Sequence, residues 1–151
     1  MIIFFFLLGL AVGSFLNSVI YRLDIGESLI KTRSHCPYCK KTLSWFELIP
    51  LMSFILQKGR CRHCKKPISL QYPLVELVTG ALFWLVISNS KFLISNQIPI
   101  SNAQFLIPVI FWLFVISCLI IIFVYDLKHY IIPDQVIYPA IIVAILYNLY
   151  L

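Results

Sequence analysis

Charged residues are scarce in this chain. Only 12% of its 151 residues are charged and 61% are hydrophobic, whereas a soluble globular protein carries about 25% charged residues. The stretch 103–125 contains no charged residue at all. This shortage excludes an ordinary soluble domain, and it predicts an all-α polytopic membrane protein.

Long apolar runs predict four transmembrane helices. A helix needs about 20 apolar residues to cross the hydrocarbon core of a bilayer, which is about 30 Å thick. The runs 1–21, 74–94 and 103–125 reach this length. The fourth run, 136–151, has only 16 residues, which form about 24 Å of helix. We therefore expect the last helix to be incomplete and the chain to be an N-terminal portion of a longer protein.

A basic segment is missing from the N-terminus. A cleavable secretory signal begins with positively charged residues and continues as an apolar stretch. Here the first basic residue is Arg22, and Gly9, Gly13 and Asn17 interrupt the apolar run before it. These features argue against a cleaved signal and predict that 1–21 is retained as a transmembrane helix.

Acidic residues are also few, and the basic residues are unevenly placed. The chain has six Asp and Glu against twelve Lys and Arg, and ten of those twelve fall within 22–73. Because basic loops remain on the cytoplasmic side, we expect the N-terminus outside, 22–73 in the cytoplasm, 95–102 outside and 126–135 in the cytoplasm. This topology in a lipid bilayer explains the basic charge without a nucleic acid partner.

Four of the five cysteines form two C-x2-C pairs, Cys36 with Cys39 and Cys61 with Cys64. Two such pairs supply four thiolates, which is the ligand set of a tetrahedral structural zinc site. Four thiolates leave no coordination position for water. The zinc is therefore expected to stabilise the loop and not to catalyse a reaction.

Other uses of these cysteines stay open. Iron is an alternative metal for four thiolates, and redox-active dithiols or plain thiols are alternatives to a metal site. Structural disulfides are disfavoured by the cytoplasmic placement. A c-type haem site is disfavoured because Lys40 and Lys65, instead of His, follow the two pairs. Cys118 lies within the third predicted helix and is expected to be a buried apolar residue.

Polar residues occur at the cytoplasmic ends of the predicted helices. Ser14, Asn17 and Ser18 form one stripe on the first helix, which indicates either interhelical hydrogen bonds or the wall of a polar cleft.

Two aspartates lie in the 126–135 loop. Asp134 either caps the helix that follows it or takes part in a reaction. Asp126 lies near a helix C-terminus, where a carboxylate opposes the helix dipole and costs stability. Two carboxylates that share one proton can hydrolyse a peptide bond. Asp126 and Asp134 would be about 12 Å apart along one helix, too far for such a pair unless a turn through Pro133 brings them closer.

Five stretches resemble the prepilin peptidases and occur in the order found in that family. They are GSFLNSVIYRL at 13–23, CPYC at 36–39, WFELIPLMSFILQKGRCRHC at 45–64, ISLQYPLVE at 68–76 and DLKHYIIPD at 126–134. Together they cover most of 13–76 and then 126–134. Several motifs in one order are more specific than any single motif.

The resemblance implies a leader peptidase and N-methyltransferase of type IV pilus, type II secretion and competence systems. It implies a membrane aspartic peptidase whose first catalytic carboxylate corresponds to Asp126, in a D-x6-P-D motif that ends at Asp134. Prepilins or pseudopilins are the implied substrates, and S-adenosylmethionine is the implied methyl donor. The implied location is the inner membrane of a bacterium.

The apolar runs and the resemblance together divide the chain. Residues 1–21 are expected to form the first transmembrane helix and 22–73 a cytoplasmic metal-binding domain. Residues 74–151 are expected to begin the membrane peptidase domain, with helices at about 74–94, 103–125 and 136–151.

One motif of the family is missing. The second catalytic aspartate of the family lies in a G-x-G-D motif, and none of the five glycines here belongs to such a motif. The chain by itself is therefore expected to be inactive as a peptidase. Two other functions stay open: a non-catalytic, zinc-stabilised membrane module that binds prepilins or assembly components, and a membrane thiol-disulfide protein.

Overall fold

Five α-helices and one short 3₁₀ helix form the protein in a computed structural model, which describes residues 2–28, 33–94 and 102–150. The helices are α1 Ile2–Ile25, the 3₁₀ helix Trp45–Leu48, α2 Met52–Leu56, α3 Gln71–Ile94, α4 Asn102–His129 and α5 Asp134–Tyr150. No β-strand occurs in these described ranges, so the predicted all-α class is confirmed. Residues 95–101 of the predicted outer loop lie outside the described residues.

Within the described ranges, three helices are long and apolar enough to cross a bilayer, judged by length and composition. Their spans are Ile3–Ile25, Gln71–Asn89 and Leu106–His129. α5 is a shorter apolar helix of 17 residues. These four helices correspond to the four apolar runs in the sequence.

Two helices continue beyond the apolar runs that predicted them. α1 ends at Ile25 and α4 ends at His129. Polar residues can extend a helix because water hydrates their side chains while the backbone hydrogen bonds continue. The basic residues in the last turn of α4 also interact favourably with the negative end of its dipole. Asp126 therefore lies inside the last turn of α4, and Asp134 is the first residue of α5.

α1 and α3 pack with their backbones in close contact. An added Cβ at Gly9 would lie 2.7 Å from the Cα of Gly80 on α3, and one at Gly13 would lie 2.7 Å from the Cα of Glu76. Small residues permit such an approach where helices associate within a membrane. This contact brings the polar stripe of α1 beside the first turns of α3.

The apolar core joins all four long helices. Its buried members include Leu16 and Ile20 of α1, Val75 of α3, Cys118 of α4 and Val136 of α5. The burial of Cys118 agrees with the role expected of it. Because Val136 lies close to the beginning of α5, the core also fixes the start of that helix against the others.

Candidate functional site

Each cysteine pair forms a tight turn, and the two turns share one backbone pattern. In the first, the Cys36 N–H donates to the Lys41 carbonyl at 2.9 Å, and the Lys40 N–H donates to the Cys36 carbonyl at 2.9 Å. The equivalent bonds of the second turn measure 2.9 and 3.0 Å. The residues after the second cysteines, Lys40 and Lys65, have φ of 57° and 60°, in the left-handed region.

These two turns bring the four predicted metal ligands together. The Sγ atoms of Cys36, Cys39, Cys61 and Cys64 all lie within 4.8 Å of one another, and the Sγ atoms of Cys36 and Cys64 are 3.9 Å apart. A tetrahedral zinc with bonds of about 2.3 Å requires sulfur atoms about 3.8 Å apart. All four thiols are free of disulfides, so the cluster fits a metal ion of this kind.

The environments of the two buried cysteines differ. Burial raises the pKa of the Cys36 thiol to about 11. Hydrogen bonds to the sulfur, first from the backbone N–H of Cys64 and then from that of His63, lower the pKa of the Cys61 thiol to about 7. The two thiols are neighbours, so the loss of a proton from one affects the other. Backbone N–H groups of Cys39 and Tyr38 also lower the pKa of Cys36, but burial outweighs them there, whereas at Cys61 the backbone hydrogen bonds dominate.

A cavity of about 360 Å³ lies between the four-cysteine domain, residues 33–70, and the helices α1 and α3. Its walls include Ser14, Asn17 and Ser18, the predicted polar stripe of α1. Both Cys36 and Cys61 also line it. The stripe therefore forms the wall of a polar cleft, which is one of the two alternatives that the sequence left open.

The same stripe also makes interhelical hydrogen bonds. The Asn17 Nδ2 donates to the Tyr72 carbonyl of α3 at 3.0 Å, and the Ser14 hydroxyl donates to the Leu48 carbonyl at 3.4 Å. Asn17 is only 2% exposed, and its Oδ1 has no hydrogen-bond partner. The stripe therefore both makes interhelical hydrogen bonds and lines a polar cleft, so both predicted alternatives occur together.

Two buried glutamates line the same cavity. The Glu76 Oε2 accepts a hydrogen bond from the Leu51 N–H at 2.8 Å, which ties α3 to the four-cysteine domain. The Glu47 Oε2 accepts one from the Ser44 N–H at 2.8 Å and so caps the 3₁₀ helix. The other oxygen of Glu47 is buried and has no partner. Both side chains are 7% exposed.

The two aspartates singled out in the sequence lie at adjoining helix ends. Asp126 is exposed in the last turn of α4, where its carbonyl accepts a 2.8 Å hydrogen bond from the Tyr130 N–H. Asp134 is exposed in the first turn of α5. No ion pair within the described parts of the chain involves either carboxylate. Both carboxylates are accessible to solvent.

A third aspartate, Asp24, connects the end of α1 to the end of α4. Its carboxylate forms an ion pair with the Lys128 ammonium at 3.4 Å and contacts the His129 imidazole. Sequence reasoning missed this contact because the residues are 104 positions apart. Sequence reasoning also missed Glu47, because its sequence context is that of an ordinary loop residue and only the structure places it at the cavity.

The sequence comparisons identify relatives over most of the chain. A family model described as the bacterial peptidase A24 N-terminal domain matches residues 7–90. A prepilin leader peptidase/N-methyltransferase of Myxococcus xanthus is 39% identical over 95% of this chain and 39% of its own length. The protein of that name in Klebsiella pneumoniae is 38% identical, over 97% of this chain and 61% of its own length.

A third relative with that name, from Bacillus subtilis, is 39% identical over 87% of this chain and 48% of its own length. The chain therefore spans between 39% and 61% of the length of these three relatives. No solved structure matches the chain significantly.

Proposed function

The chain belongs to the prepilin leader peptidase/N-methyltransferase family of A24 peptidases, and from this membership we propose that it takes part in removing the leader of prepilins. The observation that carries the proposal is the exposed carboxylate of Asp126 in the last turn of a membrane-spanning helix. A substrate with a basic leader and a following apolar helix would present its cleavage site at this level of the bilayer. Prepilins or pseudopilins have this pattern by the family resemblance.

Asp126 is the proposed catalytic carboxylate. At the C-terminal end of α4 it opposes the helix dipole, which is a costly place for a negative charge. In an aspartic peptidase one carboxylate activates water while the other donates a proton to the leaving amine. Asp126 has the accessibility for the first of these roles.

Asp134 has a supporting role in this proposal. It begins α5, where a negative charge interacts favourably with the helix dipole. The second catalytic carboxylate is assigned by the resemblance to a G-x-G-D motif, which the 151 residues do not contain. The chain by itself is accordingly proposed to lack peptidase activity.

The cysteine cluster is proposed to hold a structural zinc. Cys36, Cys39, Cys61 and Cys64 supply four thiolates and no open position. The zinc would hold the two turns together and so shape the cavity that Cys36 and Cys61 line. Methylation of the new N-terminus, with S-adenosylmethionine as methyl donor, is the second proposed activity.

Location and domain arrangement follow from the same proposal. The apolar helices and the family indicate an inner-membrane protein. We place the four-cysteine loop and Asp126 on the cytoplasmic side and the N-terminus outside, because ten of twelve basic residues lie within 22–73. Residues 1–21, 22–73 and 74–151 are the proposed membrane anchor, metal-binding domain and first part of the peptidase domain.

A chimera tests the peptidase assignment. Residues 1–151 would replace the matching region of the Klebsiella pneumoniae relative, and cleavage of a prepilin would be followed by gel shift in membranes. We expect the chimera to cleave, and the Asp126→Asn chimera to lose at least about 10²-fold in rate. The Asp134→Asn chimera should retain more activity than the Asp126→Asn chimera.

The 151-residue chain alone provides the comparison. It should bind a prepilin without cleaving it. Cleavage by the Asp126→Asn chimera at the unsubstituted rate would contradict the role of this carboxylate. Prepilin binding with no cleavage by the chimera would instead favour a non-catalytic, zinc-stabilised binding module.

A further inference from the structure

We propose that the 360 Å³ cavity between the four-cysteine domain and the helices α1 and α3 is the binding site for S-adenosylmethionine. This inference rests on the proposed function, because it locates the methyl donor of the second activity. Small-molecule sites usually enclose about 300–1,000 Å³ and combine apolar walls with a few polar groups. The cavity has this size and this mixed lining.

Charge is distributed unevenly over the cavity wall. Two lining carboxylates, those of Glu47 and Glu76, belong to buried residues, whereas the lining basic residues Arg33 and Lys128 are exposed. The methyl donor is positive at its sulfonium and amino groups and negative at its carboxylate. Its cationic groups would therefore face the glutamates while its carboxylate faces the basic side chains.

The buried glutamates lack a cationic partner of their own. Among the described residues, neither Glu47 nor Glu76 forms an ion pair. A buried charge without a partner is costly, and a cationic ligand would offset this cost.

Unused hydrogen-bond acceptors point to the same ligand chemistry. The Oδ1 of Asn17 and the Oε1 of Glu47 are buried without partners, in residues that line the cavity. An unsatisfied buried acceptor costs about 1–3 kcal/mol. The methyl donor offers N–H donors on its amino group and its adenine, and small side-chain adjustments would bring them to these oxygens.

Aromatic rings complete the fit. Tyr21, Phe54 and Tyr72 line the cavity together with His35. Stacking of a nucleobase on an aromatic side chain is worth about 1–3 kcal/mol. The adenine of the methyl donor thus has candidate stacking partners beside the polar groups that would hold its amino acid part.

Direct binding tests this inference without any turnover. The zinc-loaded 151-residue chain in lipid nanodiscs would be titrated calorimetrically with S-adenosylmethionine and with S-adenosylhomocysteine. We expect binding of both. Glu47→Gln should weaken the binding of the positively charged methyl donor by about 10- to 100-fold, since a hydrogen bond to a charged group is lost.

Glu27→Gln is the matched control, because Glu27 does not line the cavity. The affinity of this variant for S-adenosylmethionine should equal that of the unsubstituted chain. Gln at position 47 retains an acceptor for the Ser44 N–H, and unchanged zinc content would verify that the domain is folded. No binding by the unsubstituted chain, or equal affinity of Glu47→Gln and the unsubstituted chain, would overturn the assignment.

A peptide with a free N-terminal amine supplies the second arm of the test. If this peptide binds in a Glu47-dependent manner and the methyl donor does not, the cavity holds the processed pilin instead and the inference is wrong. Binding of the methyl donor by the chain together with failure of the chimera to cleave would reject the peptidase assignment alone. Cleavage by the chimera without methyl-donor binding by the chain would reject this inference alone.

A second observation concerns the apolar surface of residues 45–56. Trp45, Met52, Ile55 and Leu56 are between 54% and 78% exposed. We infer that this surface lies in the lipid bilayer, beside the membrane-spanning parts of α1 and α3. Large exposed apolar patches mark protein or membrane contacts, and the hydrogen bonds of the segment select the membrane.

Two hydrogen bonds fix the depth of this segment. Leu48 accepts from Ser14, which lies 11 residues before the end of α1, about 16 Å along the helix. Leu51 donates to Glu76, five residues into α3, about 8 Å from its start. The segment is therefore alongside both spans. One side chain of each span thus satisfies one backbone group of the segment, and non-helical backbone at membrane depth needs such partners within the protein.

Tryptophan fluorescence tests the lipid contact. In the double variant Trp84→Phe, Trp112→Phe, Trp45 is the only tryptophan. We expect phospholipids brominated on their acyl chains to quench its emission strongly and aqueous iodide to quench it weakly. The control adds Trp45→Phe and Tyr38→Trp, which moves the probe to an exposed position in the first cysteine turn.

The control tryptophan should show the reverse order of quenching. Strong iodide quenching of Trp45 with no quenching by brominated lipid would overturn the inference. Unchanged zinc content in both variants would verify that the domain is intact.

Discussion

The Asp24 carboxylate at the end of α1 accepts a hydrogen bond from the Lys128 ammonium at the end of α4, across 3.4 Å. The two residues are 104 positions apart in the sequence. Lys128 is two residues beyond Asp126 and lines the cavity beneath the four-cysteine domain. The ion pair thus connects the first transmembrane helix to the turn of α4 that carries the proposed catalytic carboxylate.

Loss of this ion pair should affect activity more than stability. Both side chains are partly exposed, so the pair contributes about 0.2–1 kcal/mol. In the Klebsiella chimera, Asp24→Asn should lower kcat several-fold with little change in KM, because misplaced catalytic groups slow the chemical step. Lys128→Gln should have a similar effect. An unchanged kcat in both variants would show that Asp24 does not position α4.

Close packing of α1 on α3 makes a second prediction. An alanine Cβ at position 9 would meet the Gly80 Cα at 2.7 Å and the Thr79 carbonyl oxygen at 2.9 Å. Replacing Gly by Ala inside a helix normally stabilises it by about 1 kcal/mol. Gly9→Ala should instead destabilise the protein by about 1–3 kcal/mol, because backbone atoms cannot move aside easily.

The exposed Ala11 on the same helix is the control. Ala11→Leu adds more volume but should change stability by less than about 0.5 kcal/mol. Both variants would be compared by thermal unfolding in detergent, followed by circular dichroism. If Gly9→Ala unfolds at or above the temperature of the unsubstituted protein, the close helix contact is refuted.

The cysteine cluster was predictable from sequence because each C-x2-C pair forms a local turn. Only one long-range contact, that between the two turns, is then needed to complete the cluster. The helices were predictable from their apolar runs, but their ends were not, since polar residues continue α1 to Ile25 and α4 to His129. The polar stripe of α1 predicted a cleft as one alternative, but the contribution of Glu47 to this cavity was not predictable. Glu47 and Glu76 line one wall only because the chain returns to bring the Leu51 N–H onto Glu76.

Zinc affinity should fall as the pH falls. Protons compete with the metal for the thiolates. The pKa of Cys61 is about 7 and that of Cys36 about 11. Above about pH 7 Cys61 is already a thiolate and Cys36 still loses a proton when zinc binds. Below this pH Cys61 must lose its proton as well, so the affinity decreases more steeply.

Competition with a chelator at pH 6, 7 and 8 measures this dependence. One zinc per chain is expected, and Cys61→Ser should reduce its affinity at every pH and remove the change of slope near pH 7. An affinity independent of pH, or rapid reaction of all four zinc-loaded thiols with an alkylating reagent, would contradict a four-thiolate zinc site and favour the redox alternative.

The left-handed conformation of Lys40 offers a stabilising substitution. Its φ is 57°, a region in which a side chain costs about 1–2 kcal/mol and glycine costs little. Lys40→Gly should therefore stabilise the metal-free four-cysteine domain by about 1 kcal/mol, less the entropy that glycine adds to the unfolded chain. Lys41→Gly removes the same charge at a position without positive φ and should destabilise the domain.

Hydrogen exchange of the Cys36 N–H, which is bonded to the carbonyl of residue 41, would report the difference. We expect slower exchange in Lys40→Gly and faster exchange in Lys41→Gly. Faster exchange in both variants would mean that Lys40 does not strain the turn.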